Sequence, residues 1–172
     1  MLLAKTRFTA MLIEANGLDP NDFRCWVFSP GMLFDAPNKW WGDYGRRDFP
    51  HEGMDFCLYR DAAANLRRLD ESTRIPVMHD GRVRALFTDY LGQGVVIEHD
   101  RISAIPEKAI SIYAHTKPMD GILPGVDVRE GDIIAGIAGT GRSRTNILPH
   151  LHFSFGWPSP DIGYEPFVWN YM

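Results

Sequence analysis

Phe8, Met11, Leu12 and Ala15 recur at spacings of three and four, with Leu3 upstream. That period lays one apolar stripe along a helix. The stripe stops at Asn16-Gly17, a pair suited to ending a helix because both residues tolerate left-handed backbone. The pattern predicts one helix over residues 2–16. From Cys25 onward the texture changes to short apolar runs broken by Pro, Gly, Asn and Asp, as in Ser29-Pro30-Gly31 and Asp35-Ala36-Pro37-Asn38. The runs Asp55 to Tyr59, Ile75 to Met78, Val83 to Phe87, Gly94 to Glu98, Ala109 to Ala114, Asp132 to Ile137 and Leu151 to Phe155 have strand length and turn residues between them. They predict a mainly β fold, an antiparallel sandwich or barrel-like sheet, behind a short N-terminal helix. Ala62 to Asp70, with three consecutive alanines, reads as a short helix or as an exposed surface excursion, the excursion being favoured. No repeat or low-complexity linker divides the chain, so residues 1–172 read as a single domain, with 1–24 a helical extension and 25–172 the β core.

Composition changes this picture little. Apolar residues make up 45% and charged residues 23% of the 172, which suits an ordinary globular core. A net charge of −4 gives no basic footprint for phosphate binding, which argues against a nucleic-acid partner. No window approaches the length of apolar chain that spans a bilayer, so no membrane span is expected. Lys5, Arg7 and Glu14 interrupt the apolar stretch that a secretory signal would need. Two cysteines, Cys25 and Cys57, are too few for a disulfide framework and are expected to be free and buried. Cys57, two residues beyond Asp55 in a strand, is expected to point the same way as that carboxylate.

The candidate chemistry lies in the histidines. In Leu148 to Phe155, read as a strand, His150 and His152 face one way, while Leu151, Phe153 and Phe155 face the other and can enter a core. Upstream, His51 and Asp55 stand four apart with Gly53 between them. The glycine and Pro50 disfavour a helix there, so a turn must run into the strand. With one histidine of the later pair, these residues make two imidazoles and one carboxylate, a set used at catalytic zinc sites that keep a fourth position for water. The alternative is a surface His51–Asp55 hydrogen bond and two unrelated strand histidines.

Five segments occur in the order seen in lysostaphin-like zinc metallopeptidases. They are Pro50-His51-Glu52-Gly53-Met54-Asp55, Ile112-Tyr113-Ala114-His115, Val126 to Gly136, Gly139-Thr140-Gly141-Arg142-Ser143 and Pro149-His150-Leu151-His152-Phe153. From about Ser29 to Phe155 the chain resembles that family. The resemblance implies that His51, Asp55 and His152 hold one Zn2+, that His115 and His150 are the catalytic histidines with interchangeable roles, and that the fold is the family's barrel-sandwich hybrid. It further implies a metalloendopeptidase acting on bacterial peptidoglycan cross-links or stem peptides, in the periplasm or outside the cell. The stretches from His99 to His115 and from Arg144 to Leu148 are longer than the family pattern. His79 and His99 match no ligand position and read as ordinary strand or turn residues.

Trp40, Trp41 and Tyr44 precede the first ligand, and Trp157, Tyr164, Trp169 and Tyr171 follow the last. These aromatics, the first three above all, are candidate walls of a substrate groove, with core or terminal packing as the competing reading. An inactive member of the fold, acting as a regulatory or cell-wall-binding module, is the rival function. All five site positions are intact, which favours the enzyme. A biotinyl or lipoyl carrier, suggested by Gly125 to Gly141, needs a lysine on an exposed hairpin, and no lysine follows Lys117.

Overall fold

Helix α1, Phe8–Ala15, turns Phe8, Met11 and Leu12 inward. It ends where Gly17 adopts φ +62°, and its first turn is held by the Thr6 hydroxyl accepting the Phe8 N–H at 3.0 Å. The computed structural model describes residues 5–18, 22–100, 108–141 and 145–158, and within them the helix starts later than its stripe predicts. Asn16 then fastens it to the sheet. Its amide donates to the Leu12 and Arg74 carbonyls at 2.8 and 2.9 Å, and its oxygen accepts the Arg74 N–H at 2.7 Å.

Apart from a 3-10 turn at Pro30–Met32, the regular structure after α1 is β, joined by turns and loops: β1 Cys25–Val27, β2 Met54–Phe56, β3 Leu58–Arg60, β4 Leu66–Arg68, β5 Arg74–Pro76, β6 Gly81–Thr88, β7 Gln93–His99, β8 Ala109–Pro118, β9 Asp127–Val128, β10 Ile133–Ile137 and β11 Leu151–Gly156. The principal sheet runs β2-β11-β8-β7-β6-β9, with β10 joining β8 to β5, and a smaller sheet runs β1-β3-β4. Every pairing is antiparallel. The fold is therefore mainly β with one short N-terminal helix, as its texture predicts.

One face of the principal sheet carries Phe56, Val95, Ile97, Tyr113 and Leu151 beneath α1. Phe8 is the centre of that contact, stacking on Phe153 at 4.5 Å and meeting Phe56 and Tyr113 edge-on at 6.0 Å each. The buried Tyr113 hydroxyl accepts the Met78 N–H at 2.9 Å. A second cluster, Ala85, Phe87, Val96, Ile110, Ile112 and Ala114, lies on alternate positions of β6, β7 and β8.

Two local expectations are corrected, and a third is met in a different form. The segment expected as one strand from Asp55 to Tyr59 breaks at Cys57, so that β2 pairs with β11 and β3 with β1 and β4. Ala62 to Arg68 is the favoured surface excursion, in the form of a hairpin ending in β4 and not a helix, while Leu69 enters the core. Cys57 is buried and free, whereas Cys25 is free and exposed; Cys25 heads a short strand in which Trp26 and Val27 are half-buried. Among the described residues no helix is long and apolar enough to cross a membrane.

Phe8→Ala removes the ring that joins the helix to three strands. It should cost about 3–5 kcal/mol, read as a lower urea midpoint at unchanged slope; a loss below about 1 kcal/mol would show that α1 is peripheral to the core.

Candidate metal and catalytic site

Strands β2 and β11 place Asp55 directly opposite His152. Cross-strand partners share a face at close range, and alternation sends Leu151 and Phe153 to the α1 side. Gly53 makes room for the pair: a Cβ there would stand 2.6 Å from His152 Nε2, the Phe153 carbonyl oxygen and Ser154 Oγ.

His51 arrives from the preceding loop, anchored by its N–H to the Ala36 carbonyl and by its own carbonyl to the Asp35 N–H, at 3.1 and 2.7 Å. Its ring is oriented by the Leu33 carbonyl, 3.0 Å from Nδ1. A carbonyl only accepts, so the neutral ring carries its proton on Nδ1 and presents a bare Nε2. That Nε2 lies 3.2 Å from Asp55 Oδ1 and 3.0 Å from His152 Nδ1, and Oδ1 is 2.9 Å from His152 Nδ1. On the far side of its ring, His152 Nε2 meets Ser154 Oγ at 2.8 Å. A hydroxyl both donates and accepts, so Ser154 supports either tautomer of His152.

His51, Asp55 and His152 thus offer three ligand atoms within 4.8 Å of one another, all buried. Ligands about 2.0–2.2 Å from a tetrahedral zinc stand roughly 3.3–3.6 Å apart, so the three atoms, 2.9–3.2 Å from one another, need to spread by only a few tenths of an ångström to hold a small cation. Each imidazole has its second nitrogen fixed by the protein, as is usual for metal-bound histidine. Burial raises the Asp55 carboxyl, but the His152 and His51 rings beside it outweigh that and hold the group well below the usual carboxylate range. The other oxygen, Oδ2, accepts the Trp40 indole N–H at 2.6 Å, and Arg47 stands 4.0 Å from it.

The structure brings His150 and His115 to the same place. His150 Nδ1 faces the Leu148 carbonyl at 2.8 Å, leaving a bare Nε2 that lies 3.8 Å from Asp55 Oδ1. Burial pushes this imidazole down to about 4, so it is neutral at pH 7. The His115 ring is 4.8 Å from that of His150 and 5.9 Å from that of His152. His115 reaches the site by an irregularity. In a regular strand it would share the face of Tyr113, under α1. Instead the β7–β8 register shifts between Gln93 and Val95, whose partners are Thr116 and Tyr113, and His115 adopts φ +61°. Such bulges re-aim a side chain and cluster at functional sites. At this residue β8 also changes neighbour, from β11 up to Ala114 to β10 from Thr116.

All five expected residues line one cavity of about 110 Å³ with Trp41, Arg47, Glu52 and Tyr90. A larger cleft of about 1240 Å³ adjoins it through Trp41 and is lined by Trp40, Trp41, Tyr44, Met32, Leu58, Thr145 and Leu148. Trp40 therefore does more than wall a groove, since it also packs edge-on against His150 at 5.1 Å. Cys57 lies behind the site with Sγ 3.4 Å from the Pro149 carbonyl, and burial, then the Asp55 charge, pushes its thiol up to about 12. His79 and His99 take no part: His79 pairs with Glu130, and His99 bonds the Asp80 carbonyl and Ser111. Arg142, Ser143, Tyr164, Trp169 and Tyr171 lie outside the described residues.

Sequence reasoning missed Asp89, Tyr90, Arg47 and Glu52. Of these, Asp89 carried a visible signal, an Asp-Tyr-Leu-Gly turn, but nothing in the chain pointed that turn at His115.

A sequence model of peptidase family M23 matches residues 50–161. Among solved structures, Csd3 of Helicobacter pylori is similar at 23% identity over 91% of this chain and 32% of that one, with a TM-score of 0.45. Lysostaphin is similar at 17% identity over 84% and 45%, with a TM-score of 0.47. The catalytic domain of the prophage-encoded M23 protein EnpA from Enterococcus faecalis, in a mutant form, is similar at 18% over 80% and 89%, with a TM-score of 0.43. The chain spans about a third of the length of Csd3 and under half of lysostaphin. No curated protein matches it.

Gly53→Ala drives a methyl into His152, Phe153 and Ser154 at once. It should destabilise the fold by about 1–3 kcal/mol in urea denaturation; wild-type stability would mean that β2 and β11 are not so closely apposed.

Proposed function

The chain belongs to peptidase family M23, and from that premise we propose that it is a zinc metalloendopeptidase that hydrolyses peptide bonds in bacterial peptidoglycan, in cross-links or stem peptides. The observation that carries the reading is the convergence of His51 Nε2, Asp55 Oδ1 and His152 Nδ1 beside the bare Nε2 of His150.

His51, Asp55 and His152 would hold the metal as three protein ligands, leaving a position open. Zinc so bound acts as a Lewis acid and brings the ionisation of water into the neutral range. His150, neutral and with Nδ1 committed to Leu148, accepts a proton at Nε2. His115, ring to ring with it, is the second proton-handling group. In the overall reaction the water oxygen joins the carbonyl carbon, the C–N bond breaks, and one water proton ends on the leaving amine. Acid–base help of this kind contributes roughly 10²- to 10⁴-fold.

The cleft beside the site supports a short, flexible peptide as substrate. Its walls, Trp41 and the exposed Tyr44, offer flat surfaces for small side chains. A folded protein would have to open locally to present its backbone there.

The purified protein should contain about one zinc per chain, and His152→Ala should lose most of it. Trp40→Phe, which keeps the ring but removes the donor to Asp55, should weaken zinc by about 10- to 100-fold. Full zinc in both His152→Ala and Asp55→Asn by elemental analysis would remove the ligand assignment.

His115→Ala and His150→Ala should keep zinc yet release peptidoglycan fragments at least about 100-fold more slowly, followed by mass spectrometry of the digest. Cleavage of unfolded casein with no release from peptidoglycan would overturn the substrate, and near-normal turnover in either variant would strike that histidine from the catalytic pair.

A further inference from the structure

We propose that Asp89 is the positioning residue of His115: its carboxylate holds the left-handed backbone that aims the ring into the site and keeps the ring's proton on Nδ1, so that a bare Nε2 faces the peptide. The catalytic consequence rests on the M23 hydrolase reading. The structural part rests on geometry alone.

Asp89 sits in the turn between β6 and β7, and its side chain is completely buried. Oδ1 accepts the N–H groups of Leu91 and Gly92 at 2.8 and 2.7 Å, which closes the turn. Oδ2 accepts the His115 N–H at 2.8 Å. This third bond is the unusual one. At a bulge the extra residue loses its ladder partner, and a buried N–H without one is costly. Asp89 supplies the partner at the residue whose φ is +61°, while the His115 carbonyl accepts the Ala138 N–H at 2.8 Å. Both peptide groups of the strained residue are thereby fixed from opposite sides.

The same carboxylate reaches the ring. Asp89 Oδ1 is 3.2 Å from His115 Nδ1. The contact lies outside straight hydrogen-bond geometry, and catalytic contacts of this kind commonly tighten once substrate is bound. Burial raises the Asp89 carboxyl, but the His115 ring and the backbone donors bring it far below the ordinary range, so it stays ionised and offers no proton. An ionised carboxylate accepts only, and the nitrogen facing it carries the hydrogen. The proton-handling atom of His115 is then Nε2. A merely structural turn residue would account for the Leu91 and Gly92 bonds but not for the two contacts with His115.

The test uses the zinc-loaded, 15N-labelled full chain without substrate, at a pH where His115 is neutral. Long-range 1H–15N spectra should show the Nδ1–H tautomer for His115. Asp89→Asn, which presents one acceptor oxygen in place of two, should shift the ring towards the Nε2–H form. It should also lower kcat on peptidoglycan peptides by about 10²- to 10⁴-fold, with KM within about threefold and zinc content unchanged. An Nε2–H tautomer in the wild-type protein overturns the proposal, even if the variant does not fold. So does a folded, zinc-replete Asp89→Asn protein with kcat within about threefold of wild type. If the wild-type protein hydrolyses no such peptide, the hydrolase reading fails while the tautomer still decides the geometry.

Discussion

Alternation along β11 is the constraint on which the rest of the molecule depends. Leu151 and Phe153 point one way and join the α1 core, while His152 and Ser154 point the other and build the site. A strand has no other freedom once one face is buried, because a slip of one residue would exchange the two sets. The packing of Phe8 on Phe153 therefore sets the register that brings His152 opposite Asp55. Core and chemistry are two sides of one pleated ribbon, and hydrophobic burial on the helix side fixes which side chains face the site, where the bonds to Asp55 and Ser154 then orient them.

The site then departs from regularity where regularity would fail it. Strict pleating would bury His115 with Tyr113, away from the other histidines. A bulge and a left-handed residue turn it round, at the position where β8 passes from β11 to β10. Strain of this kind persists when its surroundings over-determine it. Here the surroundings are the Asp89 carboxylate, the Ala138 N–H and the rings of Tyr90 and His150.

What was legible in the chain follows the range of the physics. His150 and His152 could be placed on one face because pleating is local, and the turn before Asp55 followed from Pro50 and Gly53. The stripe of α1 and the strand runs from Val83 to Ile137 were readable for the same reason. The break at Cys57, the exposure of Cys25 and the strand at Leu66–Arg68 depend on which strands pair, and pairing is settled by contacts distant in sequence. The direction of His115, the Asp89 clamp and the indole bond from Trp40 to Asp55 depend on a bulge and on two such contacts. Family resemblance named His115 where spacing alone did not, yet it gave no reason for the left-handed backbone there.

The three convergent atoms also join distant parts of the chain: His51 and Asp55 lie 101 and 97 residues from His152. A bridge from His152 to either of the other two closes a loop longer than half the polypeptide, and loop-closure entropy must be met before the contact can form. Contacts of such sequence separation slow folding as a whole, and the site cannot be assembled before β11 has paired with β2. A cation held there would bind the native chain and not its disordered form, so its occupancy would be read as global stability, rising with the logarithm of its concentration. Loss of β11 from its neighbours would conversely scatter all three ligands in one step.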